Sequence, residues 1–204
     1  MRRGVKAVRG RTPNGLSLGA LMTSQAATRR QGGLAEAEVE ERLAAFLDST
    51  GLFRVFRQMM GRALWRPCPA AGRVRADVLV LASRGGLQAG WRAGPILFEV
   101  KRPGRPIGPG LCQLMDYLAC AWRLPNGIEI LPAFGFLFPA DKQHGALASV
   151  MAQNRVGTCR LRGDELTLWC GEQRIVTVGT PGPGHGDGTL RVGQVCVGAK
   201  FGAR

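Results

Sequence analysis

The stretch on which the fold turns is ILFEVKRP, residues 96–103. Ile96, Leu97, Phe98 and Val100 read as a strand inside a covered sheet, and Glu99 and Lys101 interrupt it. Side chains alternate along a strand, so the two charges share one face while Val100 points the other way. Burying charges is costly unless they are paired or hold a metal. A carboxylate and an amine on one face of an apolar strand therefore call for an explanation.

Working upstream, VRADVLVLA (74–82) reads as a second strand, with Asp77 near its start. The glycine-rich connection SRGGLQAGWRAGP between them suits an antiparallel return. Neighbouring strands can bring Asp77 beside Glu99, and two converging carboxylates repel unless something positive lies between them. Magnesium, a hard cation that accepts carboxylates, waters and phosphate oxygens, is the natural candidate. Further upstream, Val39, Leu43, Phe46 and Leu47 follow helical spacing over 34–47, and Gly51 ends that helix. FRVFRQM follows as a first strand and RPCPAAGR as a loop.

Downstream of the opening stretch, RPGRPIGPG is a rigid loop, and Pro109 to Trp122 is expected to be helical. Residues 128–139 read as one strand with a bulge at Pro132. Asp141 is expected to cap a short helix to Asn154, and TCRLRGDELTLWC and QRIVTVG close the sheet. The pattern predicts one α/β domain over 34–180, a mixed central β-sheet flanked by helices. Residues 1–33 are expected to be a disordered basic arm and 181–204 a glycine-rich tail. Met22 stands as an alternative start.

The formal net charge is +14 over 204 residues, and half of it sits in residues 1–33, which hold seven Lys or Arg and no acid. A basic arm on a milder domain suits a polyanion, most often nucleic acid. A solvated tail that keeps the chain soluble is the plainer reading. No run of about eighteen apolar residues occurs, so no transmembrane helix is expected. LSLGALM is too short and mixed for a signal peptide. The six cysteines form no CxxC pair, which argues against structural zinc and for small packed hydrophobes in a reducing cytoplasm.

Taken together, RADVLVLA, FEVKRPG and the following helix with QLMDY resemble the PD-(D/E)XK nuclease superfamily over about residues 34–140. Gln113 and Tyr117, at i and i+4 on that helix, look like the Q-x-x-x-Y element of its exonuclease-type branches. Ala76 stands where the name-giving proline would be. The resemblance implies a restriction-endonuclease-like core and Mg2+-dependent cleavage of nucleic acid, DNA in preference, with Mn2+ as a substitute. It implies that Asp77 and Glu99 hold the metal with the Val100 carbonyl. Lys101 would orient or help deprotonate the attacking water and steady charge on the phosphate.

The resemblance also implies a glutamate on the first helix reaching toward the metal. LAEAEVEERL offers four, of which Glu36 best fits the inward stripe; Glu40 shares that stripe, and Glu38 and Glu41 fall further off it. Gln113 and Tyr117 would contact phosphate or support the site; the plainer reading is a helix that faces solvent with Gln113 and tucks Tyr117 into the core. Arg75, Arg102, Arg105 and Tyr117 would contact nucleic acid. Trp91 and Trp122 suit core or hairpin packing better than base stacking. His144 and His185 lack partner spacing.

A surface ion pair among Asp77, Lys101 and Glu99 is the plain alternative to a metal site. The alternative function is a non-catalytic or partner-dependent nucleic-acid-binding protein of a restriction, repair or mobile-element complex. Assembly as a homodimer or larger complex is left open by the sequence.

Overall fold

The computed structural model describes residues 34–64, 74–180 and 188–192, all within the unit Leu34–Arg204. The basic arm, the loop 66–73, His185, Cys68 and Cys196 lie outside the described residues.

The chain opens with α1 (Glu36–Ser49) and the antiparallel strands β1 (Phe53–Ala63) and β2 (Val74–Ala82). A short helix α2 (Arg84–Gln88) leads to β3 (Ile96–Val100), antiparallel to β2. Helix α3 (Ile107–Leu118) is followed by β4 (Cys120–Arg123) and β5 (Glu129–Ile130). Next comes β6 (Phe134–Phe138), parallel to β3. Helix α4 (Gly145–Gln153) precedes β7 (Val156–Arg162), parallel to β6, and then β8 (Glu165–Cys170), β9 (Gln173–Gly179) and β10 (Thr189–Val192) follow antiparallel. The described strands form one mixed sheet in the order β10-β9-β8-β7-β6-β3-β2-β1-β4-β5.

Helix α1 forms because Val39, Leu43, Ala44, Phe46 and Leu47 make one apolar stripe, and all are buried. Its first turn is held by Glu38, which accepts the Ala35 amide at 2.7 Å. Gly51 follows in the left-handed conformation (φ +67°) that ends many helices. The stripe covers one face of the sheet with Val78, Val80, Ile96, Phe98 and Val100 beneath it. Leu111, Leu114 and Leu118 of α3, with Met151 of α4, cover Leu137 on the other face. Gly135 lets α3 approach: a Cβ there would stand 2.9 Å from a Leu114 methyl. All residues of β3 and β6 are buried, as expected for strands covered on both faces.

Four sequence expectations are corrected. The helix expected over Pro109–Trp122 spans Ile107–Leu118, with Pro109 in the first turn, where its missing N–H is not needed. Trp122 instead lies fully buried in β4, edge-on to Tyr117 at 5.4 Å, because that ring needs the pocket beside β1. The strand expected over 128–139 is two strands broken around Pro132: β5 pairs with β4, and β6 with β3 and β7. His144, not Asp141, precedes α4, since the Asp141 carboxylate is paired with Arg160. Finally, Thr189–Val192 of the expected tail add a strand against β9.

Phe98→Ala, in the centre of β3, should lower stability by about 3–5 kcal/mol in urea denaturation. Leu131→Ala, at an exposed loop position, should change it by no more than about 0.5 kcal/mol.

Candidate active site

The last paired residues of β2 and β3 are Val78 and Phe98. One step further, Asp77 stands across from Glu99 in the same register, but the ladder stops. Instead, the Asp77 carboxylate accepts the Val100 N–H at 2.7 Å. A strand residue's N–H and C=O point to the same side, so the Val100 carbonyl faces the same gap between β2 and β3 as Asp77. On the far side, the Lys101 N–H donates to the Phe138 carbonyl at 2.8 Å and anchors β3 to β6.

Glu99 is buried, with 2% of its surface exposed. Its Oε1 accepts a hydrogen bond from Lys101 Nζ. Its Oε2 is buried with no hydrogen-bond partner among the described residues. Burial pushes the Glu99 carboxyl up to about 7; the Lys101 hydrogen bond opposes that, and the negative charge of Asp77 adds to it. The Asp77 carboxyl is also raised, first by burial, against the opposing Val100 N–H bond and with help from Glu40.

Lys101 continues the chain of contacts. Burial works to lower its pKa, but the hydrogen bond to Glu99 and the charges of Glu99, Glu36 and Asp77 outweigh this, and it is raised. Lys101 is thus an ammonium at neutral pH. It also donates to Gln113 Oε1 at 3.3 Å; Gln113 Nε2 in turn donates to the Tyr117 hydroxyl, which donates to the Arg75 carbonyl at 2.7 Å. Helix α3 is therefore tied to β2 and β3 through the polar groups of the site.

The structure brings Asp77, Glu99, Lys101 and Gln113 together, and Glu36 acts on the charges of the first three. Of the roles open to Tyr117, its placement fits the supporting one: it is buried, and its hydroxyl is engaged by Gln113 and the Arg75 carbonyl. Trp91 and Trp122 pack in the core, their indole N–H groups bonded to the Gly94 and Tyr117 carbonyls. Arg75, Arg102 and Arg105 are exposed and form no ion pair among the described residues.

Sequence reasoning missed how Glu40 is held. It is buried on α1, accepting from Arg57 at 2.9 Å and from Gln58. Gln58 has a left-handed backbone (φ +52°), rare for a residue with a side chain, where the β1–β2 pairing skips Gln58 and Asp77. That strain sits across from a site carboxylate, as strained backbone often does at functional sites. No spacing in the sequence announces it; the only signal was Glu40 on the inward stripe.

No three His, Cys, Asp or Glu side chains group closely enough to hold a metal among the described residues. Asp77, Glu99 and the Val100 carbonyl make an all-oxygen set of two carboxylates and one carbonyl, which suits a hard cation that keeps several waters. Comparison with protein-family models, curated proteins and solved structures finds no match. Among the described residues, no helix is long and apolar enough to cross a membrane.

The raised Glu99 pKa has a stability consequence. The folded chain holds this proton more tightly than the unfolded chain, so stability is greatest below an ordinary Glu pKa and falls as pH rises toward about 7. Metal-free protein should lose roughly 2–4 kcal/mol between pH 4.5 and 8 from this group. Chemical denaturation across that range should show the loss, and Glu99→Gln should remove most of it. An unchanged slope in that variant would place the pH dependence elsewhere.

Proposed function

We propose that the chain is a metal-dependent nuclease of the PD-(D/E)XK type, hydrolysing phosphodiester bonds of nucleic acid, DNA in preference, with Mg2+ or Mn2+. The observation that carries this is the buried, unpartnered Glu99 Oε2 beside Asp77, with Lys101 immediately after the same strand. A second carboxylate would raise the cost of that charge rather than relieve it; a divalent cation relieves both. The order α1-β1-β2-β3-α3-β6 supports a restriction-endonuclease-like core, with Asp77 and Glu99 on adjacent strands, Lys101 just past the second, and Gln113 and Tyr117 on the next long helix.

A bound divalent cation would lower the pKa of a coordinated water and offset charge developing on the phosphate. Asp77, Glu99 and the Val100 carbonyl would hold it, and the charge of Glu36 acts on both carboxylates. Lys101 supplies a fixed positive charge rather than a base. Its ammonium, steered by Glu99 and Gln113, would donate to the attacking water or the phosphate oxygens and steady the transition state. Gln113 holds the ammonium in place, and Tyr117 holds Gln113. Arg75, Arg102 and Arg105 would meet the backbone electrostatically.

Purified protein should cleave labelled DNA only with Mg2+ or Mn2+. Asp77→Asn and Glu99→Gln should each cost at least about 100-fold, because they remove the charge that would hold the cation. Lys101→Ala should cost a similar factor while leaving cation binding nearly intact. DNA binding should survive in all three, since carboxylate–phosphate repulsion is relieved in the first two. Wild-type protein that binds DNA but cuts no single-stranded, duplex or branched substrate would contradict the enzyme reading and favour a binding or partner-dependent role.

A further inference from the structure

Strands β1 and β2 keep one register throughout: Arg57 faces Val78 and Met59 faces Ala76, with Gln58 and Asp77 left unpaired between them. No residue is inserted on either strand, yet the faces change over at that point. On the Phe53 side, Val55, Val78 and Val80 pack beneath α1, and Phe56 and Leu79 pack on the opposite face. Strict alternation would carry Met59, Ala63, Val74 and Ala76 to the α1 face. All four pack instead on the opposite face, in the cluster of Tyr117 and Trp122. The β1–β2 ribbon therefore turns over at Gln58 and Asp77.

Asp77 stands half-way through that turn. A side chain in a regular strand stands out of the sheet, whereas a ladder N–H lies in its plane. Asp77 accepts the Val100 N–H of the neighbouring strand at 2.7 Å, so its carboxylate lies near the plane of the sheet. That aim requires β2 to be rotated about its own axis at Asp77.

The matching distortion on β1 is at Gln58, directly opposite, whose backbone is left-handed (φ +52°). A residue with a Cβ adopts that conformation at a cost. Glu40 offsets it: buried on α1, it accepts from Gln58 Nε2 and from the adjacent Arg57 at 2.9 Å.

We propose that Gln58 is a positioning residue: its left-handed backbone, tethered by Glu40, turns the β1–β2 ribbon and aims the Asp77 carboxylate into the gap beside Glu99. Neither Gln58 nor Glu40 has to touch the cation. The inference rests on the metal-dependent nuclease reading of that gap, and adds to it the device that sets the aim of one ligand.

The test compares Gln58→Ala with Gln58→Gly. Both lose the bond to Glu40, but only glycine takes a positive φ without cost. The first readout is amide hydrogen exchange of Val100 in metal-free protein, relative to Lys101, whose N–H is bonded to the Phe138 carbonyl and not to Asp77. The second is calorimetric Mn2+ affinity. Gln58→Ala should speed Val100 exchange relative to Lys101 roughly tenfold. It should weaken Mn2+ binding by at least about tenfold. Gln58→Gly should keep both within about threefold of wild type. Glu40→Ala, which frees Gln58, should move both readouts as Gln58→Ala does; wild-type values in that variant would overturn the tether. A merely stabilising role would lower the denaturation midpoint and leave both readouts alone. Alanine and glycine variants that match in either readout overturn the positioning role, whether or not the protein cuts DNA. Wild-type protein that binds no Mn2+ and cuts no DNA contradicts the nuclease reading, and the Val100 exchange still decides the positioning role.

Discussion

The Asp77 carboxylate takes the Val100 N–H at the point where the β2–β3 ladder stops. Everything around the site depends on that substitution of a side chain for a backbone partner. It lets two central strands part without leaving the Val100 amide unsatisfied, which inside a sheet would cost about as much as a lost hydrogen bond. The gap so made is bounded by Asp77, Glu99 and the Val100 carbonyl. On the other side of Asp77, the β1 pairing is also interrupted, at the strained Gln58, whose side chain is drawn to Glu40. A carboxylate in an unbroken ladder would point away from any such gap.

Helix α3 turns that gap into a site with a defined chemistry. Gly135 sets how closely the helix lies on β6, and the Gln113–Tyr117 pair fastens it to Lys101 and to the Arg75 carbonyl. Lys101 is thereby steered from two sides. Its hydrogen bond to Glu99 and the surrounding carboxylate charge raise its pKa and hold it as an ammonium. Glu99 is left with one oxygen neutralised and one orphaned, an arrangement that a packed apolar core would not keep without a counter-charge.

Much of this was legible in the sequence. Period-two placement put Glu99 and Lys101 on one face, the apolar run around Asp77 gave the partner strand, and i, i+4 spacing paired Gln113 with Tyr117. What was not legible arose from tertiary contacts. Nothing local says that Cys120–Arg123 leaves its helix; the burial of Trp122 against Tyr117 decides it. Pro132 signalled an interruption, but not that the two halves pair on opposite sides of the sheet. The engagement of Tyr117 with the Arg75 carbonyl spans 42 residues, which no local pattern shows.

If the orphaned Glu99 oxygen and Asp77 together make a divalent-cation site, the protein should bind such a cation by itself. Calorimetric titration of Mn2+ into wild-type protein and Glu99→Gln at pH 8, without nucleic acid, tests it most directly. Wild-type protein should bind saturably with a stoichiometry of about one, more weakly and with release of protons as pH falls through about 7, where the Glu99 carboxyl takes up its proton. Glu99→Gln should bind at least about tenfold more weakly. Wild-type protein that takes up no Mn2+, or a variant that binds it equally well, would contradict the account.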